Sequence, residues 1–233
     1  MYEEKIIPPK KAMPQAQDGT LRKFALRVPE VIYQCSGIMV FGKRIKSLVF
    51  STDLSIIKNV NADAIIAVYP FTPQPIITQA LLLAADIPVL AGVGGGLTQG
   101  QRVVNLAMFA EMQGATGVVL NAPTANTVVQ HVAETIDIPV VVTVARADTD
   151  FEARLQAGAN IFNVSAAAET PAIVRSIRER YPDVPIIATG GPTDESILET
   201  IQAGANAITW TPPSNGEIFR DIMAAYRDNK PHP

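Results

Sequence analysis

Eight short apolar runs, rich in β-branched residues, recur along the chain, and each is followed by a polar turn and a longer amphipathic stretch. The runs cover residues 47–51, 64–69, 89–93, 117–121, 140–144, 161–165, 186–189 and 207–211. Each run is continuously apolar rather than alternating, which is typical of parallel strands covered by helices on both faces. The stretches between them, such as 124–135 and 193–203, predict helices, and several begin at a Ser, Thr or Asp suited to an N-cap.

The joints between helix and strand repeat along the series. The sequence LQAGAN at 155–160 returns as IQAGAN at 201–206, and Gly-Ala-Thr at 114–116 occupies an equivalent joint. In each joint a glycine suited to the left-handed conformation ends the helix before the next strand. Eight strand–helix units in one series predict a (β/α)8 TIM barrel of the α/β class over residues 47–226. A doubly wound open sheet is the alternative, because the sequence does not show which side each connection takes.

The residues before and after this series predict an N-terminal extension and a short polar tail. Residues 1–20 are rich in Pro, Lys and Gln and predict an arm that frays or lies on a neighbouring subunit. Residues 21–44 contain apolar stretches that would plug the bottom of the barrel or form a subunit contact. We therefore treat 1–46 as one unit before the barrel, 227–233 as the tail, and expect a homo-oligomer.

Composition narrows the class of protein. The 233 residues are 48% hydrophobic, enough for a large core, and the formal net charge of −3 argues against a nucleic-acid partner. No window approaches eighteen consecutive apolar residues, and the start has no apolar signal region, so we expect neither a membrane span nor a secretory leader. A single cysteine, Cys35, excludes an internal disulfide, and we expect a cytoplasmic protein.

In (β/α)8 barrels the reacting groups lie at the carboxyl ends of the strands and in the loops that follow, and few charged residues are predicted there. Asp53 is the one carboxylate directly after a strand, where it would carry a proton or cap the following helix. Three neutral residues, Asn121, Thr143 and Asn163, would orient a hydroxylated substrate, and Asn163 is expected to point into the barrel. Arg146 would clamp a carboxylate or phosphate, or form a salt bridge at the rim with Asp148 or Asp150.

Two glycine-rich turns are candidate anion sites. The sequence IIATGGPT at 186–193 places Thr189, Gly190 and Gly191 before a helix N-terminus, which suits an anion or simply a tight turn. The sequence GVGGGLT at 92–98 places Gly94 and Gly95 in a backbone nest for an anion, or in a flexible lid.

The segment Thr-Gly-Gly at 189–191, followed by AGANAI at 203–208, resembles the last two units of the ribulose-phosphate-binding and aldolase-type barrels. That resemblance implies that the seventh and eighth strands cradle the phosphate of a substrate or of FMN. The chain departs from the pattern at Pro212 and Pro213, which have no N–H to donate. The N–H groups of Ser214 and Gly216 would then complete the phosphate site. The whole chain also resembles a barrel family of Gram-positive bacteria whose members are labelled hydrolases without an established reaction.

The residues that are missing constrain the mechanism. No lysine lies at a strand end, so a Schiff-base aldolase is not expected. No His, Asp, Glu or Cys cluster has metal-ligand spacing, so no metal is expected, and FMN is the one cofactor considered. The leading hypothesis is a metal-independent isomerase, lyase or hydrolase acting on a small phosphorylated or carboxylated metabolite. The alternatives are a ligand-sensing barrel, which would resemble the glycerol-type antiterminator regulators, and a structural oligomer with a vestigial pocket.

Overall fold

An antiparallel hairpin precedes eight parallel strands that close into a barrel in the computed structural model, which describes Gly19 and residues 26–231. The hairpin consists of β1 (Ile38–Val40) and β2 (Lys43–Ile45). The barrel strands are β3 (Ser47–Phe50), β4 (Ala64–Ala67), β5 (Val89–Gly94), β6 (Gly117–Leu120), β7 (Val140–Val144), β8 (Ile161–Val164), β9 (Ile186–Thr189) and β10 (Ala207–Trp210). Each strand pairs with its neighbour in chain order, and β10 pairs with β3 to close the ring. The predicted (β/α)8 barrel is confirmed, and the open-sheet alternative is wrong.

A helix follows every barrel strand. The helices are α1 (Leu54–Lys58), α2 (Pro75–Ala84), α3 (Gln101–Met112), α4 (Asn126–Thr135), α5 (Phe151–Gln156), α6 (Thr170–Arg180), α7 (Asp194–Gln202) and α8 (Asn215–Arg227). The predicted glycine helix ends are confirmed at Gly114, Gly158 and Gly204. All three have positive φ angles, a backbone conformation that is strained for residues with a side chain. No helix among residues 26–231 is both long and apolar enough to span a bilayer.

Two buried clusters divide the core. The outer cluster joins outward strand residues such as Phe162 and Val164 to the helices. The inner cluster contains Leu48, Ile66, Leu90, Val119, Val141, Ile161, Ile187 and Ala207, one residue from each strand. Because side chains alternate along a strand, the residues two positions after these inner residues also face the barrel interior.

The hairpin closes the end of the barrel where the strands begin. Its inward residues Ile38, Val40 and Ile45 are buried in the same cluster as the inner strand residues. Phe41 at the tip has a φ of 45° and remains exposed. The hairpin therefore seals the amino-terminal end, and the open end is the one where the strands finish.

The segment just before the hairpin contributes to the outer layer. Leu26 pairs with Val60, and Val28 and Ile32 are buried among the outer residues beside α7. In contrast, none of the residues of α8 is buried. The predicted arm at 1–20 lies outside the described residues apart from Gly19.

Candidate functional site

The inner ring at the open end of the barrel is polar on one side and apolar on the other. The residues two positions after the inner core residues form this ring, because alternate residues of a strand share one face. On β7 to β10 they are Thr143, Asn163, Thr189 and Thr209. The same step places Phe50, Val68, Gly92 and Asn121 on β3 to β6 or just after them. No member of this ring is charged. The ring therefore suits a ligand that is apolar on one side and hydrogen-bonding on the other.

Two polar atoms in the ring are buried without partners. Asn163 is 8% exposed, and its amide Nδ2 donates to Thr143 Oγ1 at 3.3 Å, but its Oδ1 has no partner among the described residues. Thr209 is 6% exposed, and its Oγ1 also has none. Since buried polar groups are nearly always hydrogen-bonded, these two atoms are expected to bind water or a polar group of a ligand.

Two cavities open above the ring and share part of their lining. The larger has a volume of about 550 Å³ and the smaller about 290 Å³, comparable to the roughly 300–1,000 Å³ of small-molecule sites. Val68, Tyr69, Pro70 and Asn121 line both, so the cavities adjoin. Asp53 is the one charged residue among those that line them.

Asp53 is held in place by the start of α1 and by α8. Its Oδ1 accepts from the Ser55 N–H at 2.8 Å, the Ser55 hydroxyl at 2.7 Å and the Ile56 N–H at 3.2 Å, which makes it the N-cap of α1. Its Oδ2 accepts from Asn215 Nδ2 at 2.6 Å. The Ser55 hydroxyl contributes most to lowering the pKa of Asp53, the Ile56 and Ser55 N–H groups and Asn215 lower it further, and partial burial opposes them.

These contacts limit what Asp53 can do chemically. A carboxylate with a lowered pKa is ionised near neutral pH, so it accepts hydrogen bonds and protons rather than donating them. Its Oδ1 is saturated by three donors, whereas Oδ2 has one donor and keeps a further acceptor position. Capping and a role in the cavity are therefore compatible.

The glycine loop after β5 borders the smaller cavity. Gly94 and Gly95 have positive φ angles of 151° and 103°. A Cβ on Gly94 would lie 2.6 Å from Val103 Cγ2, and one on Gly95 would lie 2.7 Å from the Asn121 nitrogen, so both glycines permit close packing. Within the described chain, the N–H groups of Gly96 and Leu97 make no hydrogen bond, and both residues line the cavity. These two N–H groups are available to an anion.

The Gly190–Gly191 turn has a different environment. A Cβ on Gly190 would lie 2.7 Å from Ile197 Cγ1 and 2.8 Å from Ile208 Cγ2, and Gly191 has a φ of 84°. The N–H of Thr193 donates to Ser196 Oγ and the N–H of Ser196 donates to Thr193 Oγ1, forming a capping box. The helix N-terminus expected to bind an anion is therefore already capped by its own side chains.

Acidic side chains at the starts of α7 and α8 further disfavour the binding of an anion there. Asp194 and Glu195 lie in the first turn of α7, and the backbone N–H of Glu195 is the main cause of the lowered pKa of its own carboxylate. At α8, the Ser214 N–H and hydroxyl donate to Glu217 Oε2 at 2.8 and 2.7 Å. A Cβ on Gly216, by contrast, would meet only Ser214 Oγ, at 3.9 Å. A phosphate at this edge would have to displace carboxylates from both helix starts.

Arg146 forms an ion pair at the rim. Its Nε donates to Asp148 Oδ1 at 2.9 Å and its Nη2 to Oδ2 at 2.6 Å, and its side chain is 77% exposed. The hydrogen bonds that Arg146 donates to the Asp148 carboxylate raise the pKa of Arg146. Arg146 is not among the residues that line the two cavities.

Arg154 is a residue that the sequence did not single out. From α5, its guanidinium donates to the carbonyl oxygens of Ala122 and Thr124 and to Asn126 Oδ1. The loop it ties down follows Asn121, which lines both cavities. Arg154 therefore positions the loop after Asn121 at the open end of the barrel. Its partners are 28 to 32 residues away in sequence, so the local sequence gives no sign of this role.

The described residues do not fit the groups that comparable barrels hold. Among residues 26–231, no three His, Cys, Asp or Glu side chains are placed to bind a metal ion. Mg²⁺ is usually bound by one or two carboxylates together with water, and Asp53 is the one carboxylate that lines the two cavities. At the start of α7 the Thr193 and Ser196 N–H groups are already bonded and Asp194 and Glu195 lie in the first turn, which disfavours the phosphate of FMN, although the Gly190 and Gly191 N–H groups make no hydrogen bond among the described residues.

Comparisons with known proteins find similarity in structure only. No protein-family model matches the chain, and no curated protein matches it in sequence. Among solved structures, 2,3-dimethylmalate lyase, a member of the PEP mutase/isocitrate lyase superfamily, matches with a TM-score of 0.61 at 13% identity, over 91% of this chain and 88% of that one.

Two further structures match at a similar level. Phosphonopyruvate hydrolase, in a complex with oxalate and Mg²⁺, matches with a TM-score of 0.60 at 13% identity, over 80% of this chain and 84% of its own. Oxaloacetate acetylhydrolase matches with a TM-score of 0.59 at 10% identity, over 78% and 81%. None of these three is named as a ribulose-phosphate-binding barrel. At this identity the comparisons establish that the chain has the (β/α)8 TIM-barrel fold, which it shares with enzymes of the PEP mutase/isocitrate lyase superfamily.

Proposed function

We propose that the chain is a lyase, mutase or hydrolase that acts on a small carboxylated or phosphorylated metabolite at the open end of the barrel, without a bound metal ion. The observation that carries this proposal is Asp53, a single ionised carboxylate that is fixed on two sides and lines a cavity of about 550 Å³. Reacting groups of (β/α)8 enzymes occupy this end of the fold. The names of the three similar structures supply the substrate class.

Asp53 is the group that we assign to proton transfer. Its Oδ2 keeps a further acceptor position, and its lowered pKa keeps it ionised at neutral pH, so it can accept a proton, although the same lowering makes it a weaker base than a free carboxylate. A carboxylate of this kind suits orienting a hydroxyl or an attacking water and accepting its proton in the transition state. Asn215 keeps Oδ2 oriented through its 2.6 Å hydrogen bond.

The anionic group of the substrate fits better at the glycine loop than at the Gly190–Gly191 turn. The N–H groups of Gly96 and Leu97 are unbonded within the described chain and border the smaller cavity, which adjoins the one that holds Asp53. The starts of α7 and α8 are closed by their own capping boxes and by acids. We assign the anion to the Gly96 and Leu97 N–H groups on this difference, rather than to Gly95, whose N–H already donates to the Thr98 carbonyl at 3.0 Å.

The test uses oxaloacetate, 2,3-dimethylmalate and phosphonopyruvate with the full chain. Binding is read as a rise in melting temperature and turnover as product formation. Asp53→Asn should abolish turnover while the fold is kept, because Asn caps a helix about as well as Asp. The matched control is Asp150→Asn, since Asp150 caps α5 through Ala153 N–H at 3.0 Å but does not line the cavities. Turnover that survives in Asp53→Asn would remove Asp53 from the mechanism.

A ligand-sensing barrel without catalysis is the second candidate. The capping role of Asp53 favours it, because this carboxylate has a structural reason to be present even if no proton is transferred. A ligand that raises the melting temperature equally in wild type and Asp53→Asn, with no product formed by either protein, would support the sensor and reject the enzyme.

A further inference from the structure

The inner faces of β7 and β8 present one hydrogen-bond donor and one acceptor side by side. Thr143 and Asn163 are paired across the two strands, and Asn163 Nδ2 donates to Thr143 Oγ1 at 3.3 Å. The Thr143 hydroxyl hydrogen then has no acceptor within the described chain, and Asn163 Oδ1 has no donor. A single hydroxyl group satisfies both, because it accepts one hydrogen bond and donates another.

A second unpartnered oxygen continues this polar surface. Thr209 on β10 is nine-tenths buried, and its Oγ1 has no hydrogen-bond partner among the described residues. Between it and Asn163, Thr189 Oγ1 donates to Ser165 Oγ at 3.2 Å. Phe50 and Val68 lie on the opposite, apolar side of the inner ring and line the larger cavity, whereas Thr143, Asn163 and Thr209 lie in the barrel interior and line neither cavity.

We propose that this polar arc, Thr143, Asn163 and Thr209, is a hydroxyl-binding subsite, and that the substrate is therefore a hydroxylated acid rather than a 2-oxo or unsubstituted acid. The acid part of this inference rests on the proposed function, whereas the hydroxyl part rests on the arc alone. One substrate hydroxyl bridges Thr143 and Asn163, and a second contacts Thr209.

The unpaired atom on Asn163 explains the selectivity. With the amide oriented so that Nδ2 donates to Thr143, the unpaired atom is the acceptor Oδ1, so an oxo group, which only accepts, leaves it unpaired, and a methylene group does the same. A buried polar group left unpaired in a complex weakens binding strongly. We expect a hydroxylated ligand to bind at least tenfold more tightly than its oxo or deoxy analogue.

The probes are two series matched in skeleton. Succinate, malate, tartrate and oxaloacetate are four-carbon dicarboxylates that differ at the two central carbons. Butane-1,4-diol and erythritol are four-carbon alcohols that differ in the same way but carry no charge. Dissociation constants for each, measured by calorimetry and by the shift in melting temperature, separate recognition of the hydroxyls from recognition of the acid.

Isosteric variants then assign the effect to the arc. Thr143→Val and Thr209→Val should remove the preference for hydroxylated probes. Thr209→Val should also raise the melting temperature of the free protein by a few degrees, because it replaces an unpaired buried hydroxyl with a methyl group. Thr200→Val is the matched control: Thr200 is equally buried, but its hydroxyl donates to the Ser196 carbonyl at 3.0 Å. That variant should lower the melting temperature and leave ligand selectivity unchanged.

The outcomes separate the two proposals. Preference for tartrate and malate over succinate and oxaloacetate, lost in Thr143→Val, supports the subsite and the acid together. Preference for erythritol alone supports the subsite and rejects the acid. Equal binding of succinate and tartrate, or binding of none of the hydroxylated probes at tens of millimolar, overturns the subsite. In the first of those two cases the proposed function still stands.

Discussion

Gly190→Ala tests whether the Gly-Gly turn exists for packing or for an anion. The added Cβ would lie 2.7 Å from Ile197 Cγ1 and 2.8 Å from Ile208 Cγ2, and both isoleucines are fully buried. Ordinary contacts of this kind are no shorter than about 3.4 Å. The helix α7 and strand β10 must therefore separate by several tenths of an ångström for the methyl group to fit.

The size of the effect follows from two opposing contributions. Overpacking a well-ordered core costs about 1–3 kcal/mol. Replacing glycine with alanine returns roughly 0.4–1 kcal/mol by restricting the unfolded chain. The free energy of unfolding should therefore fall by about 1–2 kcal/mol, which lowers the melting temperature by roughly 2–8 °C in a chain of this length.

Thermal and urea unfolding of the full chain measure this change, with Gly216→Ala as the matched control. Gly216 lies in the first turn of α8, and its nearest contact for a Cβ is Ser214 Oγ at 3.9 Å. Alanine should leave stability unchanged or raise it there, because it favours a helix. Both proteins are then melted with and without inorganic phosphate at constant ionic strength. A neutral Gly190→Ala would refute the packing argument, as would a phosphate-induced rise in melting temperature that Gly190→Ala abolishes.

Four other substitutions or conditions follow from single contacts. Arg146→Ala should change the free energy of unfolding by less than about 0.5 kcal/mol in urea titrations, because the pair with Asp148 is exposed. Ile45→Ala should cost about 2–5 kcal/mol in the same titrations, since Ile45 is 3% exposed inside the barrel plug. Burial raises the pKa of Cys35 to about 11, against a smaller lowering effect of Lys46, so a thiol reagent at pH 8 should label it only after unfolding. Because the pKa of Asp53 is lowered from its ordinary value of 3.8, the ionised carboxylate stabilises the fold at pH values above 3.8, and this contribution to the free energy of unfolding should be lost as the pH falls through the folded pKa. In Asp53→Asn, the free energy of unfolding should depend less on pH in this acidic range.

The fold was predictable because each element carries its own local signal. Continuous apolar runs, N-capping residues and glycine joints lie within a few residues of the structure they specify, and eight repetitions left little ambiguity about the barrel. The helix boundaries differed by one or two residues: predicted 124–135 became Asn126–Thr135 with Ala125 as the N-cap, because the Thr124 hydroxyl donates to the Asn121 carbonyl instead of capping the helix. Predicted 193–203 became Asp194–Gln202, with Thr193 as the N-cap and Ala203 as the C-cap.

The electrostatics of the site were not predictable, because they depend on contacts far apart in sequence. Asp53 and Asn215 are 162 residues apart and share a 2.6 Å hydrogen bond. Glu217 was not considered at all, yet it occupies the Ser214 donors on which a phosphate would depend. Arg146 shows the opposite case: its partner Asp148 is two residues away, and the sequence already offered that salt bridge as one alternative.

Part of the polar arc was predicted from the sequence, which offered Thr143 and Asn163 as neutral groups that orient a hydroxylated substrate, and the same pattern extends to Thr189 and Thr209. Val141, Ile161, Ile187 and Ala207 are each followed two residues later by a polar residue: Thr143, Asn163, Thr189 and Thr209. Since alternate residues share one face of a strand, four successive strands place four neutral polar side chains on the inner face at the same end. A barrel that needed only stability would fill these positions with branched apolar residues, as it does one layer below. Two of the four keep buried oxygens unpaired at a cost in stability, which selection tolerates most readily where a ligand supplies the missing partner.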